Sequence, residues 1–209
     1  PILFRILPKE LAAETFVEMD SDEQELLINA FSERELHDVV EELFVDDAVD
    51  IIEEMPANVV KRILRHTDSE MRNSINEILR YPKDSAGSIM TTEYVSLKKD
   101  MTVSEAFDRI RRTGVDKETI YTCYVTDTDR KLIGLVTVKE LLLSPYNTVI
   151  NTIMEKNIIS VETLDDKEEV ANMFDKYDFM SLPVVDKENR LVGIVTFDDA
   201  IDCLLYTSD

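Results

Sequence analysis

Apolar residues recur at helical spacing through about the first 80 positions and at no other period. Leu36, Val39, Val40 and Leu43 form one i, i+3, i+4, i+7 stripe, and Ala48, Ile51, Ile52 and Met55 form another. Shorter stripes are Leu27, Ala30, Phe31, then Val60, Ile63, Leu64, then Ile75, Ile78, Leu79. Ser21-x-x-Gln24 and Ser32-x-x-Glu35 have the capping-box pattern that opens a helix. Pro56 and Pro82 interrupt the run. Helices this short cannot bury their stripes alone, so the pattern predicts a stacked, superhelical all-α domain over residues 1–82.

Beyond a junction rich in Pro, Gly and small polar residues, Tyr81 to Ser88, the chain says one thing twice. Ile89-Met90 through Ile133-Gly134-Leu135-Val136-Thr137 recurs as Ile153-Met154 through Val192-Gly193-Ile194-Val195-Thr196. Met154 follows Met90 by 64 positions and Gly193 follows Gly134 by 59, so the first copy holds five extra residues, placed around Gly114 to Thr119. Each copy reads as strand, helix, strand, strand, helix. The strands are Val95–Leu97, Tyr121–Thr126 and Leu132–Thr137 in the first copy, and Ile159–Val161, Leu182–Val185 and Leu191–Thr196 in the second. Thr102-x-x-Glu105 opens a helix with the stripe Val103, Ala106, Phe107, Ile110. Its counterpart begins near Asp166 and carries Val170, Met173, Phe174 and Tyr177, an apolar stripe expected to be partly exposed. A tandem unit of this size means two similar folds packed on each other, over residues 88–146 and 150–206.

Charge narrows the partners. Asp and Glu number 44 against 23 Lys and Arg, a net charge of −21 at pH 7. Such a surface repels nucleic acid and attracts cations. Cys123 and Cys203 are far apart in sequence and lack metal-ligand spacing, which fits a reducing compartment. His37 and His66 lie in helical sequence and read as surface residues, so neither zinc nor histidine catalysis is expected. No nucleophile–base constellation is visible, so the chain reads as a non-enzyme. No run approaches the length of a membrane span and no signal peptide is visible. A start without Met and an end at Thr-Ser-Asp read as a piece of something longer.

The repeated Leu-x-Gly-x-Val-Thr-x-x-(Glu/Asp) element, Leu132 to Glu140 and Leu191 to Asp199, resembles that of paired cystathionine-β-synthase (CBS) domains. In that family the Thr and the acid often hold the ribose and phosphate of adenosine nucleotides. The resemblance therefore makes Thr137, Glu140, Thr196 and Asp199 nucleotide candidates and ATP or AMP a candidate ligand, with Glu140 departing from the usual Asp. Tyr81-Pro82-x-x-Ser85-Ala86-Gly87-x-Ile89-Met90-Thr91 directly before a CBS pair is similar to the cytosolic region of the MgtE family of magnesium channels, from about Leu7 to Leu205. The predicted fold class is accordingly α+β, a superhelical all-α domain followed by a tandem CBS pair.

The resemblance implies a Mg²⁺ sensor on the cytoplasmic face of a membrane, a homodimer through its CBS domains, joined in the family to a C-terminal transmembrane domain. In that family Mg²⁺ binds between the helical and CBS domains and favours the closed channel. Asp46 and Asp50, one helical turn apart, match the family's acidic stretch, and Glu14 matches another acidic position. On the CBS side Asp178 matches a family ligand, and Asp199 and Asp202 share a face of the last helix. Asp166, Glu168 and Glu140 read instead as caps or surface acids. An adenosine-nucleotide sensor is the alternative function.

Overall fold

The structure, a computed structural model, describes residues 4–177 and 179–206, without the side chains of Arg5, Asp175, Asp202, Leu204, Leu205 and Tyr206. The chain forms two units, Pro1–Leu79 and Arg80–Asp209.

In the first unit a short 3-10 turn, Phe4–Ile6, precedes α1 (Lys9–Val17), α2 (Ser21–Ala30), α3 (Glu33–Val40), α4 (Val45–Glu54), α5 (Ala57–His66) and α6 (Ser69–Ile78). α1 packs on α3, α3 and α2 on α5, and α4 on α6. The two long stripes are buried along their whole length, as their period requires. The short ones are less regular: Ala30 and Leu79 are exposed, and α5 buries Val59 with Ile63.

Ser32 and Glu35 form the expected capping box, whereas Ser21 does not cap α2. Asp20 does, accepting the Glu23 N–H at 2.8 Å, and Gln24 turns inward. Its buried amide donates to the carbonyls of Phe16 and Val17 at 3.0 and 3.3 Å, supplying donors at the end of α1. Arg62 serves the end of α2 in the same way, donating to the carbonyls of Ile28 and Phe31. Arg72 serves α5 through the carbonyls of Leu64 and Thr67, at 2.7 and 2.8 Å.

The second unit contains β1 (Tyr94–Lys98), α7 (Val103–Thr113), β2 (Thr119–Thr126), β3 (Leu132–Thr137) and α8 (Val138–Leu143), then a single turn α9 (Ile150–Ile153). β4 (Val161–Glu162), α10 (Lys167–Tyr177), β5 (Ser181–Val185), β6 (Leu191–Thr196) and α11 (Phe197–Tyr206) follow. Each repeat has a three-stranded sheet, β1-β2-β3 or β4-β5-β6, whose first pair is parallel and second antiparallel. β4 has only two residues and shares just Val161 with the strand expected at Ile159–Val161. The five extra residues of the first copy fall between α7 and the end of β2, where a 3-10 turn, Gly114–Asp116, precedes a longer β2. Val170 and Phe174 are buried, so the stripe on α10 is covered within one chain and only Tyr177 of its large side chains is exposed.

The repeats are stitched together by exchange. Met90, ahead of β1, lies against Gly193 of the second repeat, and Met154, ahead of β4, lies against Gly134 of the first. Each Met is followed by a residue bonded twice to the opposite sheet: Thr91 with Ile194 at 2.8 and 2.9 Å, Glu155 with Leu135 at 2.9 and 3.0 Å. The hairpin turns also bond each other, Leu132 N–H to the Asn189 carbonyl and Leu191 N–H to the Arg130 carbonyl, both at 3.0 Å. Arg130 and Asn189 adopt φ of 66° and 61°, left-handed values that the turns impose. Between the sheets the Tyr124 hydroxyl meets that of Ser181 at 2.7 Å, both buried. Burial pushes the Tyr124 hydroxyl well above its ordinary value, and pushes the neighbouring Cys123 thiol up to about 12.

Candidate metal and nucleotide residues

Asp46 and Asp50 lie on α4, one turn apart, Asp46 buried and Asp50 exposed. Asp46 and Asp47 occupy the first turn, where the unpaired backbone N–H groups favour negative charge. Glu14 is exposed on α1. The helical unit also carries two ion-pair networks. Lys9 contacts Asp38 at 3.0 Å and Glu41 at 3.2 Å, and these bonds, Asp38 first, hold its ammonium above the ordinary value. His66 and Arg62 each reach Glu33 at 3.0 Å and hold its carboxyl below the usual range, His66 contributing most. His37 is exposed as expected, but the side chain of His66 is largely covered, its ring centroid 5.9 Å from that of His37.

In the second unit the two Thr–acid pairs occupy equivalent places, each joining a strand end to a helix. Thr137 caps α8 in a closed box. Its N–H and hydroxyl donate to the Glu140 carboxylate at 2.8 and 3.0 Å, and its Oγ1 accepts the Glu140 N–H at 3.2 Å. In the second repeat the Thr196 hydroxyl donates to Asp199 Oδ2. Glu140 is therefore a cap, and so is Asp166, whose Oδ1 accepts the N–H groups of Glu168 and Glu169 at 2.9 and 3.3 Å. Asp178 lies outside the described residues, as does the side chain of Asp202, whose backbone belongs to α11.

Sequence reading missed one like-charged pair in this unit. Glu93 and Glu118 bring carboxylate oxygens within 4.8 Å of each other, and the Glu118 N–H donates to the Glu93 carbonyl at 2.9 Å. The available signal was the insertion itself, since Glu118 belongs to the five residues that the second repeat lacks. Every donor named for a cation is a carboxylate oxygen, a hard set that suits Mg²⁺ rather than zinc or copper.

A helical unit followed by a duplicated strand–helix–strand–strand–helix pair is the architecture of a CBS-containing regulatory region. The family model of the MgtE intracellular N domain matches residues 1–84, and that of the CBS domain matches residues 86–145 and 150–206. The chain is 38% identical over 207 residues to the magnesium transporter MgtE of Thermus thermophilus, covering 97% of this chain and 46% of that one. It superposes on the cytosolic domain of the Mg²⁺ channel MgtE in complex with ATP, with a TM-score of 0.91 and 37% identity over 97% of this chain and 83% of that one. The soluble part of a magnesium transporter gives 0.90 and 32%, over 99% and 82%. The chain belongs to the MgtE family and corresponds to its cytosolic region, an N domain joined to a CBS pair. It spans about half the length of its full-length Thermus relative, and among the described residues no helix is long and apolar enough to cross a membrane.

Proposed function

We propose that this chain is the cytosolic Mg²⁺-sensing region of a magnesium channel or transporter. In this reading Mg²⁺ draws the acidic face of the helical unit and the acidic groups of the CBS pair together and so favours a closed state. The observation that carries it is the pair Asp46 and Asp50, one turn apart on α4 in a chain of net charge −21. Like charges at that spacing repel by a few tenths of a kcal/mol, and a divalent ion reverses the sign. Mg²⁺ keeps several waters, so one or two carboxylates from each side suffice. Asp199, Asp202 and Asp178 are the proposed CBS-side donors, with Glu93 and Glu118 as a further pair and Glu14 as a further donor on the helical unit. The longer protein would place this region on the cytoplasmic face of a membrane, ahead of a transmembrane part.

Homodimerisation belongs to the same proposal on a changed basis. Val170 and Phe174 are unavailable, but Leu142, Leu143, Tyr146, Tyr177 and Phe197 remain exposed on the CBS pair and are the apolar groups a second copy would cover.

A second reading, an adenosine-nucleotide sensor, is favoured by the similarity to a structure in complex with ATP and by the Thr196–Asp199 pair. The second repeat keeps the family's Asp at position 199, whereas the first carries Glu140, tied to Thr137 in a capping box. Calorimetric titration with Mg²⁺, and separately with ATP and AMP, tests both readings. Heat from Mg²⁺ that Asp46→Asn diminishes supports the sensor, and its absence removes it. ATP heat lost in Asp199→Asn but kept in Glu140→Gln supports the second.

A further inference from the structure

The stretch Tyr81 to Ser88 reads as a junction in sequence, yet its far half is bonded into the second unit. Chain order runs from the helical unit through this stretch into the first repeat, but its partners lie in the second. The Ala86 N–H donates to the Asp165 carbonyl at 2.8 Å, Gly87 N–H to Thr163 at 2.9 Å, and Lys167 N–H back to Asp84 at 3.1 Å. Ser85 faces Asp166 as an antiparallel bridge, and the Lys167 ammonium lies 3.3 Å from the Asp84 carboxylate. Ser85 and Ala86 are buried at 3% and 0% exposure. The Ser85 hydroxyl donates to the Pro82 carbonyl at 2.7 Å, and the Ser88 hydroxyl to that of Lys83 at 2.7 Å, which closes the turn on itself. A Cβ on Gly87 would fall 2.6 Å from the Tyr81 ring and 2.9 Å from the Thr163 carbonyl, so only glycine passes there.

The same contacts recur 64 positions on, bond for bond, with the roles of the repeats exchanged. Ile150 N–H donates to Met101 at 2.8 Å, Asn151 to Lys99 at 2.9 Å, and Val103 to Thr148 at 2.8 Å, with Thr102 bridged to Val149. Each lead-in is thus fastened to the repeat it does not precede in sequence.

We propose that residues 84–87 are a latch closed on the second repeat. The second repeat alone then governs release of the segment that leaves the helical unit, while the first governs the segment between the repeats. A ligand or substitution that loosens the turn Thr163–Lys167 frees the helical unit's attachment, and one that loosens Lys99–Val103 does not.

Two matched cap deletions in the 209-residue chain test this. Asp166→Ala removes the cap of α10, and Thr102→Ala that of α7. Native-state amide exchange then reads the two lead-ins separately. Asp166→Ala should speed exchange at Ala86 and Gly87 about fivefold, the value of an ordinary cap, speed tryptic cleavage after Lys83, and leave Ile150 and Asn151 unchanged. Thr102→Ala should do the converse. Should Asp166→Ala fail to fold, Gly87→Ala gives the same reading, with protection lost at Ala86 and kept at Ile150. Exchange at Ala86 and Gly87 as fast as in unstructured chain, no response to either cap, or equal acceleration of both lead-ins by either variant overturns the latch.

Discussion

At the scale of the residue, the repeated Met and the repeated Gly turn out to be two halves of one contact. A Cβ on Gly134 would meet Met154 Sδ at 2.6 Å, and one on Gly193 would meet Met90 Sδ at 2.6 Å and the Thr91 carbonyl at 2.8 Å. Sequence showed both residues recurring but not that they cross, because the crossing is a long-range fact. Gly134→Ala should cost about 1–3 kcal/mol by overpacking. In a Met154→Ala background the same change should cost much less, since only the Glu155 carbonyl, 3.2 Å from the Cβ, remains. Gly193→Ala should stay costly after Met90→Ala, because the closer Thr91 carbonyl remains. Chemical denaturation of the two cycles checks this; equal rescue in both would contradict the geometry. Glu33 carries a pH prediction. Its carboxyl is held below the ordinary value by His66 and then Arg62. Its stabilisation is therefore complete above the unfolded value and is lost as the pH falls through the lower native one. The stability gap between the parent and Glu33→Gln should shrink as the pH is taken down from about 5, and a constant gap would refute it.

At the scale of the element, existence and type were legible wherever a period ran long enough, as in α3, α4, α7 and the hairpins. The helix starts were legible at Ser32 and Thr102 but not at α2. Ser21-x-x-Gln24 has the residues of a capping box, but Asp20 one position earlier takes the cap and Gln24 closes the end of α1. Local pattern cannot reveal a donor whose acceptors belong to another helix, and the same holds for Arg62 and Arg72. Asp20→Ala should lose about 1 kcal/mol and Gln24→Met about 1–3 kcal/mol through orphaned carbonyls. Ser21→Ala should change stability by less than about 0.5 kcal/mol. Urea midpoints rank the three, and Ser21→Ala as the most damaging would restore the sequence reading. The candidate site was legible in part: the carboxylates on α4 stand one turn apart as their spacing requires, whereas the pair Glu93 and Glu118 needed the fold, being 25 positions apart in sequence.

At the scale of the whole molecule, two expectations follow from the proposed function. Light scattering should give twice the 24.0 kDa of one chain, and Leu142→Glu with Leu143→Glu should halve that mass without unfolding the chain. A monomer in the parent at high concentration would remove the dimer. The central claim is that Mg²⁺ draws the acidic face of the helical unit onto the CBS pair by coordination. General screening of a charge of −21 would also contract the chain, so the decisive comparison holds ionic strength fixed. It is the radius of gyration from small-angle scattering in Mg²⁺ against matched Na⁺, at constant molecular mass, for the parent and Asp46→Asn. The parent should contract further in Mg²⁺ than in Na⁺, and Asp46→Asn should lose most of that difference. Equal radii in the two salts, or an Asp46→Asn response equal to the parent's, would contradict it.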